Sequence, residues 1–135
     1  MSEKEFNSVL IIGLGLIGSS LARALQEYKL TSIISGLDTD QNNIKKCKKL
    51  GILTNGSNNL KSFSNQFDLI IICSPLGTYK NIFIELNQFV TKKTLITDVG
   101  STKMSVIKDF NAVVSNTAIK FVPGHPIAGL EKSGP

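Results

Sequence analysis

A glycine-rich hexapeptide, Gly13-Leu14-Gly15-Leu16-Ile17-Gly18, stands between a short apolar run and an amphipathic stretch, and no other feature restricts the fold of this chain so tightly. Ser8 to Ile12 reads as a buried strand, after which Ile17, Leu21, Ala24 and Tyr28 recur at helical spacing. Each glycine has a job in a strand–turn–helix unit. Gly13 permits the tight turn, Gly15 lets the backbone approach a bound pyrophosphate without a Cβ clash, and Gly18 with Ala22 lets the helix pack closely on the strand. The first helical turn, with Leu16 and Ile17, offers N–H groups without intrahelical partners and the positive end of the helix dipole.

A unit of this kind needs an acidic residue at the end of the next strand to hold a ribose, and Asp38 ends the run Ile33 to Leu37 about 20 residues beyond the last glycine. A carboxylate there accepts hydrogen bonds from ribose hydroxyls and repels a 2′-phosphate. With no arginine following it, NAD is favoured over NADP. The competing role for Asp38 is helix N-cap, but Asp40 is better placed for that.

The remaining chain alternates short apolar runs with amphipathic stretches, which predicts βαβ units and a parallel sheet. A helix is expected over Gln41 to Leu50, stopped by Gly51, with Ile44, Cys47 and Leu50 inward. A short third strand is expected at Ile52 to Thr54, followed by turns from Asn55 to Gln66 with one helical turn carrying Leu60 and Phe63. Leu69 to Cys73 is the most continuous apolar run and predicts a central strand. A helix over Thr78 to Phe89 should bury Ile82, Ile84 and Leu86. Thr94 to Val99 makes strand five, the next helix turns Val106, Ile107 and Phe110 inward, and Ile119 to Val122 makes strand six. The fold class is α/β: a Rossmann-type, doubly wound, mostly parallel sheet with helices on both faces, occupying 1–135 as one NAD(P)-binding domain.

Composition removes several alternatives. The 135 residues suffice for one core, and Cys47 and Cys73 stand far apart with no histidine cluster near either, which suggests neither a disulfide framework nor a metal site. No apolar run approaches a membrane span and Met1 to Asn7 is polar, so a soluble, untargeted, cytoplasmic protein without a membrane partner is expected. The net charge of +5 peaks at Lys45, Lys46, Lys48 and Lys49. These fall opposite Ile44 and Cys47 on a helix, as a solvated face does, and no stacking aromatics are interleaved, so no nucleic-acid partner is expected.

In a doubly wound sheet, ligands bind at the carboxyl ends of the strands. The loops there are Ser74-Pro75-Leu76-Gly77, Asp98-Val99-Gly100-Ser101-Thr102-Lys103 and Gly124-His125-Pro126. Ser74, Pro75, Leu76, Asp98 and Ser101 are therefore candidate cofactor contacts. His125 is the sole histidine, and a neutral imidazole is a competent proton acceptor for an alcohol undergoing oxidation. Ser101 can hold the same hydroxyl, or simply cap the helix that follows.

The segment His125-Pro126-Ile127-Ala128-Gly129-Leu130-Glu131-Lys132-Ser133-Gly134-Pro135, taken with Asp98-Val99-Gly100-Ser101-Thr102-Lys103, resembles the signature of prephenate and arogenate dehydrogenases. The resemblance implies oxidation of the prephenate ring alcohol by NAD with loss of CO2, giving 4-hydroxyphenylpyruvate on the route to tyrosine. It makes His125 the acceptor of the hydroxyl proton and Ser101 a hydrogen-bond partner of that hydroxyl and of the nicotinamide side. It places Glu131 at the edge of the substrate pocket. Leu130 departs from the family, which often has a polar residue there. The family also has a C-terminal helical domain that forms a homodimer and supplies basic groups for the substrate carboxylates. That domain is absent from these 135 residues, which on their own should bind NAD but turn over poorly.

Three other readings compete. Arogenate or dual cyclohexadienyl dehydrogenases differ only in an amino group that the absent domain would read. A non-catalytic dinucleotide-binding fragment would keep the glycine loop, but His125 and Ser101 argue against degeneration. A β-hydroxyacid or imine reductase does not account for the His-Pro-Ile-Ala-Gly segment.

Overall fold

The computed structural model describes residues 6–100 and 103–124. Its strands are β1 (Phe6–Ile12), β2 (Thr31–Leu37), β3 (Asn55–Ser57), β4 (Leu69–Ile72), β5 (Thr94–Asp98) and β6 (Ile119–Phe121). Its helices are α1 (Leu16–Glu27), α2 (Gln41–Lys49), α3 (Tyr79–Phe89) and α4 (Lys103–Val113). The strands form one sheet in the order β3-β2-β1-β4-β5-β6, and every pairing is parallel. The order reverses between β1 and β4, so the chain leaving these two strands runs to helices on opposite faces, α1 and α3, and leaves a crevice at the carboxyl edge.

Strand residues alternate between two cores, because successive side chains point to opposite faces. Leu10, Ile12, Ile70, Ile72 and Ile96 face Tyr79, Phe83 and Leu86 of α3 and Val106 of α4. Val9, Ile11, Ile34, Leu69 and Ile71 face Ala22 and Leu25 of α1 and Ile44 and Cys47 of α2. Covering both faces is what makes continuous apolar strands stable here. Phe83 is the hub of the first core, edge-on to Tyr79, Phe110 and Phe121 at 5.3–6.0 Å.

Several local expectations are corrected. The third strand lies at Asn55–Ser57, three residues beyond the predicted Ile52 to Thr54. Ile52 is buried in the connection instead, and Gly56 pairs with Gly36 of β2 at a position where a β-carbon would sit 2.8 Å from Ile44 Cγ2 of α2. The inward stripe of α1 is Gly18, Ala22 and Leu25, not the one through Ile17 and Tyr28, which are exposed. The small residues face inward because α1 lies so close to the glycine loop that a β-carbon on Gly18 would overlap the Gly13 carbonyl. Leu50, Ile84 and Ile107 are exposed, the core positions on their helices being filled by Cys47, Phe83, Leu86 and Val106. The single turn at Leu60–Ser62 does form, with Leu60 buried beneath it. The four lysines of α2 are exposed.

Candidate functional site

The turn after β1 is built as the glycine spacing requires. Gly13 has φ +97°, and a β-carbon on it would meet the Ser74 nitrogen at 2.8 Å, so only glycine lets this loop lie against the one leaving β4. Gly15 is different. It occupies the N-cap of α1 in extended backbone, and a β-carbon there would find nothing within 4 Å. No side chain caps α1 and no acidic residue stands in its first turn, so the N–H groups of Leu16, Ile17 and Gly18 point toward a space that the protein leaves to something else. This open cradle fits a pyrophosphate.

Asp38 lies beside that cradle. Its Oδ2 accepts the Leu14 N–H at 2.7 Å and the Asn43 side-chain amide at 3.1 Å, and its Oδ1 accepts the Asp40 N–H at 2.8 Å. A carboxylate offers about four acceptor directions, so three donors leave room for one more, such as a ribose hydroxyl. Asp40 caps α2 by accepting the Asn42 N–H at 2.9 Å, which frees Asp38 from that duty.

A cleft of about 530 Å³ joins Gly13, Gly15 and Asp38 on one side to Ser74, Pro75 and Thr78 on the other. The loop after β4 is held by its own hydroxyls: Thr78 donates to the Pro75 carbonyl at 2.6 Å and lies 2.8 Å from the Ser74 hydroxyl. Leu76 is partly exposed beside it. Cys73 lines the floor, where burial and then the nearby Asp98 charge push its thiol up to about 12, keeping it protonated and unreactive at neutral pH.

Asp98 is the candidate whose position departs most from expectation. Its carboxylate does not face the cleft but is buried, accepting the Tyr79 hydroxyl at 3.0 Å, the Gly100 N–H at 2.8 Å and the Gly124 N–H at 3.0 Å. Burial and then the Asp98 charge raise the Tyr79 hydroxyl far above its ordinary pKa, so it stays a donor. The other candidates, Ser101, His125 and Glu131, lie outside the described residues.

The sequence model of the family described as prephenate dehydrogenase, nucleotide-binding domain, matches residues 21–135. The chain belongs to this family. Among prephenate dehydrogenase relatives, the enzyme of Lactococcus lactis is 38% identical over 128 residues, which is 93% of this chain and 35% of that protein. The cyclohexadienyl dehydrogenase of Zymomonas mobilis is 34% identical over 130 residues, 96% of this chain and 44% of that protein. The crystal structure of the Aquifex aeolicus prephenate dehydrogenase, in complex with hydroxyphenyl propionate and NAD+, superposes with a TM-score of 0.79 at 31% identity, covering 96% of this chain and 43% of that one. The chain thus spans less than half the length of these relatives.

Within this nucleotide-binding domain, two residues that support the candidate site carry no signal in the sequence. Asn43 supports Asp38 from the first turn of α2, and Tyr79 supports Asp98 from the start of α3. Tyr79 reads as one more apolar position of an amphipathic helix, and only the fold shows that its hydroxyl meets a carboxylate 19 residues away. Among the described residues no group of three or more His, Cys, Asp or Glu is placed to hold a metal, and no helix is long and apolar enough to cross a membrane.

Proposed function

We propose that this chain is the NAD-binding part of a prephenate dehydrogenase, which oxidises the ring alcohol of prephenate with loss of CO2 to give 4-hydroxyphenylpyruvate in tyrosine biosynthesis. The observation that carries the cofactor half is the pairing of an open Gly15 cradle with the Asp38 carboxylate in one cleft. Family membership carries the substrate half. NAD bound here supplies the hydride acceptor.

The protein's own part is positioning and proton handling. The backbone of Gly13 to Gly18, with the N–H groups of Leu16 and Ile17, holds the pyrophosphate. Asp38 uses its remaining acceptor direction for a ribose hydroxyl and its charge to discourage a 2′-phosphate. Ser74, Pro75 and Thr78 form the facing wall of the cleft, whereas the Leu76 side chain lies toward Gly100 and does not line it. His125 accepts the proton of the ring hydroxyl, Ser101 hydrogen-bonds that hydroxyl, and Glu131 lies at the pocket edge. Once the ring alcohol is a ketone, loss of the ring carboxylate as CO2 leaves its electron pair on the former ketone oxygen as an aromatic phenolate, which takes back the proton that His125 accepted.

Cyclohexadienyl and prephenate dehydrogenases match the chain at similar identity, which keeps arogenate as the second substrate to try. The test is prephenate-dependent formation of NADH by the whole protein. Activity is expected, with His125→Asn lowering kcat by roughly 10²–10⁴-fold, the contribution of a general base. Absence of NADH formation with both prephenate and arogenate contradicts the reading.

A further inference from the structure

Asp98 brings together three parts of the carboxyl edge that are far apart in sequence. One carboxylate oxygen takes the hydroxyl of Tyr79, the residue that opens α3 after the β4 loop, together with the N–H of Gly100 in the loop leaving β5. The other takes the N–H of Gly124 in the loop leaving β6. The residue is 3% exposed, so these contacts are shielded from water. Three donors converge on it, and a carboxylate presents acceptors only, so each finds a complement.

The two glycines make this closeness possible. A β-carbon on Gly100 would lie 2.7 Å from Asp98 Oδ2 and 2.9 Å from the Tyr79 hydroxyl. A β-carbon on Gly124 would run into the backbone carbonyl of Asp98. Both loops therefore reach the carboxylate by giving up side chains. Residues 101 and 125 follow these glycines directly in the chain.

We propose that Asp98 is a positioning residue: its buried carboxylate fixes the spacing between the loops leaving β5 and β6, and so the relative placement of the groups those loops carry into the reaction. The catalytic part of this inference rests on the function proposed above. The fixing of the loops does not. Asp98 touches no reactant in this role. Its effect falls on turnover, because a displacement of about 1 Å between reacting groups costs about 100-fold in rate, while the glycine cradle and Asp38 stay in place to bind the dinucleotide.

The test compares the whole wild-type protein with Asp98→Asn and Tyr79→Phe. Asparagine keeps the volume but places an NH2 group among N–H and O–H donors. Phenylalanine keeps the ring and removes one of the three donors. Amide hydrogen exchange at Gly100 and Gly124 should speed up at least about tenfold in Asp98→Asn while amides of β1 and β4 keep their protection. The kcat should fall about 100-fold with the Kd for NAD within about threefold of wild type. Tyr79→Phe should lower kcat about tenfold, the low end for one hydrogen bond to a charged group. Unchanged exchange at both glycines, or a wild-type kcat in a variant that binds NAD normally, overturns the proposal. If Asp98→Asn does not fold, Tyr79→Phe decides: faster exchange at Gly100 supports the proposal, and wild-type exchange and kcat refute it. If the wild type oxidises neither prephenate nor arogenate, the functional reading fails, and the exchange measurements still judge whether Asp98 fixes the loops.

Discussion

The carboxylate of Asp38 accepts the backbone N–H of Leu14 at 2.7 Å, so the acid at the end of β2 is fastened to the glycine loop at the end of β1. The glycine loop and the acid proposed to hold the ribose are thereby joined directly. The acid does two things, by charge and by acceptor geometry, and these separate in substitutions. Asp38→Asn removes the repulsion toward a 2′-phosphate and should narrow the preference for NAD over NADP about tenfold, a shift of about 1.4 kcal/mol. Asp38→Ala also strands the Leu14 and Asp40 N–H groups and should lower stability by about 1–2 kcal/mol. Calorimetric titration and thermal melts check the two effects.

Gly13 and Gly15 should respond in opposite ways to the same change. Gly13→Ala puts a β-carbon 2.8 Å from the Ser74 nitrogen at φ +97°, and should destabilise the fold by about 2 kcal/mol or more. Gly15→Ala meets no protein atom within 4 Å and should melt within about 0.5 kcal/mol of wild type. It should nevertheless lose at least about tenfold in NAD affinity, because the added carbon stands where the pyrophosphate approaches the backbone. Denaturant melts set beside binding isotherms separate the two.

Asp68 gives the fold an acid-sensitive joint. It accepts the Asn7 and Ser8 N–H groups at 2.8 and 3.1 Å and the Lys92 ammonium at 3.1 Å, tying the start of β1 to the start of β4. Burial opposes its charge, but the Lys92 bond and the two backbone donors outweigh that and hold its carboxyl below the usual range. The folded state therefore binds this proton less readily than the unfolded state. The stabilisation is complete above the ordinary carboxylate pKa of about 4 and is lost as pH falls through the lower folded value. Asp68→Asn should cost about 1–2 kcal/mol at neutral pH, a figure kept small by the exposure of Lys92, and clearly less at pH about 3. Urea melts at the two pH values measure the difference.

The fold was legible because its signals are local. Apolar runs such as Leu69 to Cys73, the glycine spacing and Asp38 each follow from backbone sterics or strand burial. Errors arose where tertiary contact decides. Gly56 reads as a turn residue, yet it pairs with Gly36 in β3, and it is glycine there because α2 passes too close for a side chain. Ile84 and Ile107 read as core, yet larger or better-phased neighbours fill those positions. At the site, the end of the Thr94 to Val99 run marks Asp98 as a carboxyl-edge residue, but not the direction of its side chain. Its inward direction depends on Tyr79, Gly100 and Gly124, whose convergence no spacing rule reveals.

The most direct test of the central claim is a calorimetric titration of this chain with NAD and, in parallel, with NADP. NAD should bind, with NADP at least about tenfold weaker because Asp38 opposes its 2′-phosphate. Failure to bind either dinucleotide, or tighter binding of NADP, would contradict that claim.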